Sequence, residues 1–224
     1  MTNSQESGRT GSLQSVWILV GAVALGAAFG AATSIVNGIA ISLHDLESRD
    51  YSMSGWSGPE IVSLMIDSGW AWAGAAVAAG WLLTRRSGLG RTAELWHAAI
   101  AGALALVTAT AAYDLADAVR SGDFHRWYEF GGAYWFVLAV LLGPPLGVAG
   151  AYIKRPGVAG LLARLVVPVG AAVQMAVLPP GRNDVVRGIG QAVVWTLAAL
   201  TIGFIVVRFG LAERRRRALT EGFR

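Results

Sequence analysis

The chain has 224 residues, 54% of them hydrophobic and only 14% charged. Six long apolar segments fill most of that length, which excludes an ordinary soluble domain and identifies an all-α, polytopic membrane protein. The absence of cysteine excludes disulfides, thiolate nucleophiles and Cys-based metal or iron–sulfur sites, and the formal charge of +4 matters less than its distribution along the chain.

Residues 1–14 read as a polar tail, and 15–210 as one transmembrane domain. The first span covers about 16–41, inside the uncharged stretch Ser15–Leu43. That stretch is too long for the apolar region of a cleavable signal peptide, so it is expected to stay as a signal-anchor. It carries Gly26 and Gly30, with Ala24, Ala28 and Ala32 beside them, all at spacing four. Small residues four apart let helix backbones approach closely. Two uses are open: packing inside one bundle, or docking another membrane protein.

A long loop leads to the second span, about 61–84, which contains Asp67 followed by Ser68–Gly69–Trp70–Ala71–Trp72. The third span, about 95–116, begins beside Glu94 and His97 and ends at Tyr113, Asp114 and, just beyond, Asp117. After a second long loop, the fourth span covers about 130–153. It holds Trp135, Gly143, Pro144, Pro145 and Gly147. The tight turn Lys154–Arg155–Pro156 makes spans four and five antiparallel neighbours. The fifth span, about 157–178, holds Arg164 and Pro168, and the sixth covers about 188–208. A basic tail, 211–224, follows. Prolines remove intrahelical hydrogen bonds, so Pro144, Pro145 and Pro168 are expected to bend their helices near mid-membrane, as static kinks or as a hinge.

The basic residues orient the chain. With both termini cytoplasmic, the cytoplasmic segments hold Arg9, Arg85, Arg86, Arg91, Lys154, Arg155, Arg208, Arg214 to Arg217 and Arg224. The opposite side then keeps only Arg49, Arg120, Arg126, Arg182 and Arg187, with ten of the fourteen acids. The positive-inside rule selects this arrangement, in a bacterial cytoplasmic membrane. The arginine run 214–217 is a stop-transfer anchor, and no nucleic-acid partner is expected.

Candidate ligand-binding residues cluster at the outer end. Asp67 lies 18 residues from Arg85, about 27 Å of helix, which places it just below the outer edge of the bilayer core. Asp114 and Asp117, three apart, share one helix face at similar height. Trp70, Trp72, Tyr113 and Trp135 are among an excess of aromatic residues on that side. Carboxylates beside aromatic faces suit a cation, through charge pairing and quadrupole attraction. If the second and third spans face each other, these groups line one acidic, aromatic mouth. The alternative is that they only reach headgroup water. Arg164, about 13 Å past Arg155 along the helix, reads as a structural charge reaching toward the cytoplasm, with Glu94 or His97 as partner. Histidines and acids in the loops, His44–Asp45 and Asp123, His125, Glu129, match no metal-site spacing. No catalytic motif, phosphate loop or internal repeat is present, so no metal, cofactor or catalytic residue is assigned.

The pattern Ser68–Gly69 with Trp72, the run Ala101–Gly102–Ala103–Leu104–Ala105 and Gly143–Pro144 with Gly147 resemble a family of uncharacterised actinobacterial six-span membrane proteins, a domain of unknown function. The resemblance covers about residues 60–180 and implies a fold and no activity. In that family an amide often precedes the Ser–Gly pair, where this chain has Asp67. Six spans and the spacing of Ala24, Ala28 and Ala32 also look like substrate-binding subunits of vitamin-uptake transporters. Those use such a stripe to dock a coupling subunit and bind substrate near the outer face.

The expected protein is therefore a compact bundle of six transmembrane helices that is not an enzyme. Its expected role is an outward-facing component that binds or transports a small solute, an organic cation in particular. The alternative is a structural or assembly partner of another envelope protein.

Overall fold

The computed structural model describes residues 3–42, 49–85, 88, 90–124 and 130–221; of these, 3–14, 49–51, 130–131 and 216–221 are described by backbone alone. The described residues form eight α-helices. These are α1 (Asn3–Ser42), α2 (Arg49–Ser54), α3 (Gly58–Ile66), α4 (Gly69–Thr84), α5 (Arg91–Ser121), α6 (Phe130–Tyr152), α7 (Gly157–Val177) and α8 (Asp184–Glu221). Five helices are long and apolar enough to cross a membrane, and α3 with α4 makes a sixth if that bent pair counts as one span.

Two differences from the sequence reading concern helix limits. Helix α1 begins at Asn3 and so runs through the segment read as a polar tail, and α8 continues through most of the basic tail. The segment read as one span, 61–84, is two helices meeting at 53°. Asp67 there has φ −90° and ψ 3°, and Ser68 is extended as the N-cap of α4. Ser and Gly at the start of a helix favour such a restart, because neither is held to helical geometry.

Helix α5 packs along α1 on one side and along α6 and α4 on the other; α7 packs on α4 and α8, and α8 lies outermost, chiefly against α7. Buried positions are mostly Ala and Gly, and large apolar side chains point outward: Leu200, Phe204 and Val207 of α8 are each more than 60% exposed. Lipid is as apolar as leucine, so close backbone packing rather than apolar burial drives helix association in a bilayer.

The glycines show this directly. A Cβ on Gly26 or Gly30 would overlap the backbone oxygen of Ala105 or Ala109. The Gly26–Gly30 pair is thus spent on α5 within the chain. Gly80, Gly102, Gly143 and Gly147 bring α4, α5 and α6 into backbone contact at a single junction.

Ion pairs close both ends. At one end Lys154 Nζ lies 2.6 Å from Glu94 Oε1 and donates to the Thr84 carbonyl at 3.0 Å, joining α4, α5 and the α6–α7 turn. At the other, Arg182 grips Glu60 at 2.7 and 3.1 Å and the carbonyls of Ser52 and Gly55. This straps α2 and α3 to the α7–α8 connection. Helices α6 and α7 run unbroken through Pro144–Pro145 and Pro168. A bend of 53° in a span lies at Asp67–Ser68, where no proline stands.

Candidate functional site

The break between α3 and α4 leaves backbone groups without intrahelical partners, and such groups must be satisfied at membrane depth. The Ser68 hydroxyl donates to the Leu64 carbonyl at 2.5 Å. Gln174 of α7 accepts the Trp70 N–H at 3.0 Å. The carboxylate of Asp67 points inward. It accepts from Asn37 Nδ2 at 2.8 Å. Asn37 also donates to the Tyr113 hydroxyl at 3.1 Å and accepts from Ser63 at 2.5 Å. One buried amide thus joins α1, α3 and α5 to the break. The positive end of the α4 dipole, one residue away, further favours the Asp67 charge.

Below the break a cavity of about 500 Å³ opens between α4, α5 and α6. Asp67 and Trp72 from the α3–α4 side, Tyr113, Asp114 and Asp117 from α5 and Trp135 from α6 all line it. Trp72 is clamped edge-on between Phe29, at 5.4 Å, and Tyr113, at 6.1 Å. The acidic groups crowd one end. From there α5 runs through Thr110 to Leu106, and α6 runs through Leu138 and Leu142 to Leu146, so the deep end is apolar. On α6 the junction residues Gly143 and Gly147 adjoin the lining residues Leu142 and Leu146.

Three acids at one mouth repel unless balanced. Asp117 is ion-paired with Arg120, whose side chain lies across Gly38 of α1. Among the described residues Asp67 is held by the neutral Asn37 amide. Asp114 makes no hydrogen bond or ion pair with the described residues. Asp114 therefore stands at the mouth without a balancing charge among the described residues. Among the described residues, no three His, Cys, Asp or Glu side chains gather closely enough to hold a metal ion.

A second recess of about 410 Å³ meets the first at Asp67, Gly69 and Trp135 and reaches Gln174, Glu60 and Arg182. The two flank the helix break.

Four residues stand elsewhere than expected, or with other partners. Trp70 does not line the cavity. With Leu64 and Met65 of α3 it packs against the cluster of Ala171, Met175 and Val194 from α7 and α8. Its expected place assumed an unbroken helix from Asp67; the break resets the register, and two residues along α4 turn Trp70 about 200° from Trp72. Arg164 pairs with neither Glu94 nor His97. Its Nε donates to the Ile153 carbonyl at 2.9 Å, satisfying the end of α6. Glu94 faces Lys154 and Arg155 instead, and His97 contacts the Ala93 carbonyl and Ser15. Asp123 is exposed, and His44, Asp45, His125 and Glu129 lie outside the described residues.

Asn37, Ser63, Thr110 and Gln174 were missed in the sequence reading. For Asn37 a signal existed: it is the only amide in the uncharged stretch Ser15–Leu43, and amides in a span bond across helices. Comparisons with protein-family models, curated proteins and solved structures yield no match to this chain.

Proposed function

We propose that the chain is a six-span protein of the bacterial cytoplasmic membrane, with α3–α4 as one bent span and both termini cytoplasmic. In this reading it is an outward-facing component that binds a small organic cation for transport, and it is not an enzyme. Its orientation rests on the basic residues, which gather at the end of the bundle opposite the cavity mouth. One observation carries the binding function. A cavity of the size usual for small ligands is lined by Asp114, which has no partner among the described residues, and by Trp72, Tyr113 and Trp135. An ammonium there gains charge pairing with Asp114 and Asp67 and attraction to the aromatic faces.

The test is calorimetric titration of the protein in lipid nanodiscs with tetramethylammonium, with neutral tert-butanol as control. Wild type should bind the cation. Asp67→Asn and Asp114→Asn should each weaken binding roughly 10-fold, and the pair should lose most of it, as expected for charge-assisted contacts. Equal affinity for tert-butanol, or binding indifferent to both substitutions, defeats the reading.

A second reading is favoured by one feature of α1. Ala24, Ala28 and Ala32 are exposed, unlike Gly26 and Gly30. That face suits close packing of a partner's helix, as in an envelope assembly. Native mass spectrometry separates the two: a co-purified protein with no cation binding favours assembly.

A further inference from the structure

We infer that the cation this cavity takes is a single-chain amphiphile: an ammonium head carrying an apolar tail that lies along α5 and α6. The inference rests on the reading above and adds the shape of the ligand. The cavity is polarised along its length. Its acidic end is set by Asp67 and Asp114. Eight residues back along α5 from Asp114 stands Leu106, about 12 Å deeper. Leu142 and Leu146 face that depth from α6. A compact cation would occupy only the mouth and leave the deep half without a partner.

Water gains little from filling an apolar recess, and a hydrocarbon tail gains the full transfer from water. The tail ends at Leu106 and Leu146, the deepest lining residues of α5 and α6. The flank is open as well: Trp135 is 60% exposed and Leu142 50%. A tail can thus enter sideways from the apolar layer while the head stays at the carboxylates. A two-chain lipid amine shares the head chemistry, and the last arm of the experiment separates the two.

The experiment measures nanodisc-embedded, full-length protein with alkyltrimethylammonium ions from methyl to hexyl. Binding is referred to the free aqueous concentration, fixed by dialysis. Burial of a methylene tightens binding roughly 4-fold, so a partly buried hexyl tail should gain at least 10-fold over methyl. A smaller gain overturns the amphiphile, while cation binding itself still stands. Failure of every member to bind defeats the underlying function instead. Ala73→Leu narrows the recess beside Trp72 and should lower the hexyl-to-methyl affinity ratio at least 3-fold. If that variant does not fold, Leu142→Asn tests the same end by the same ratio. An unchanged ratio in the folded variant overturns the placement of the tail. Phosphatidylethanolamine added to phosphatidylcholine nanodiscs should leave hexyltrimethylammonium affinity unaltered; competition by it overturns the single-chain assignment.

Discussion

Asn37 of α1 holds Asp67 at 2.8 Å across 30 residues of sequence, and the same amide binds Ser63 and Tyr113. A helix break, a carboxylate and the wall of a cavity are therefore coupled through one side chain. Asn37→Ala strips partners from Asp67, Ser63 and Tyr113 together. A loss of about 1–3 kcal/mol is expected for a buried polar group left unsatisfied. Thermal unfolding followed by tryptophan fluorescence should show a midpoint several degrees lower. Asn37→Asp should be worse, since it sets a second carboxylate against Asp67. A midpoint unchanged in both would mean that the amide does not secure the break.

The other end depends on Glu94, which is 7% exposed, and Lys154. Removing either partner leaves the other charge short of compensation in a poorly hydrated place. Lys154→Met and Glu94→Gln should each cost about 1–2 kcal/mol, less than a fully buried pair because the Lys154 side chain is 31% exposed. The double variant should lose clearly less than the sum. A double-mutant cycle with no coupling would show that the pair contributes nothing.

Glycine substitutions should divide by location. Gly147→Ala pushes a methyl into the backbone of Ala98 and Gly102, so a loss of about 1–3 kcal/mol is expected. Gly203→Ala in α8 meets open space and should leave stability the same or raise it by up to ~1 kcal/mol, because alanine is the better helix former. Chemical denaturation in a mild detergent compares the two directly. Equal effects would refute the close junction of α4, α5 and α6.

Orientation is testable in intact cells. Cysteines introduced at Ser48 and Ser121 should react with a membrane-impermeant maleimide from the periplasmic side, and one at Ser87 should be protected. The opposite pattern inverts the topology and turns the acidic mouth toward the cytoplasm.

Composition and period alone determined that this chain is helical and apolar enough to cross a membrane several times. A run such as Ser15–Leu43 has no other stable fate, since only a helix satisfies its own backbone groups in lipid. The candidate residues Asp67, Tyr113, Asp114 and Trp135 were legible too, because charge is costly in a span and aromatic excess on one side is visible in a string. Tertiary structure decided what no one-dimensional reading reaches. The break at Asp67–Ser68 fixes which way Trp70 and Trp72 point, because a helix that restarts loses its register. Glu94 finds Lys154 rather than Arg164, because the tight α6–α7 turn carries the lysine back over α5. The choice between Gly26–Gly30 and Ala24–Ala28–Ala32 as the packed face of α1 is equally three-dimensional. Both have spacing four, and only the pair without Cβ atoms lets α5 approach to backbone contact.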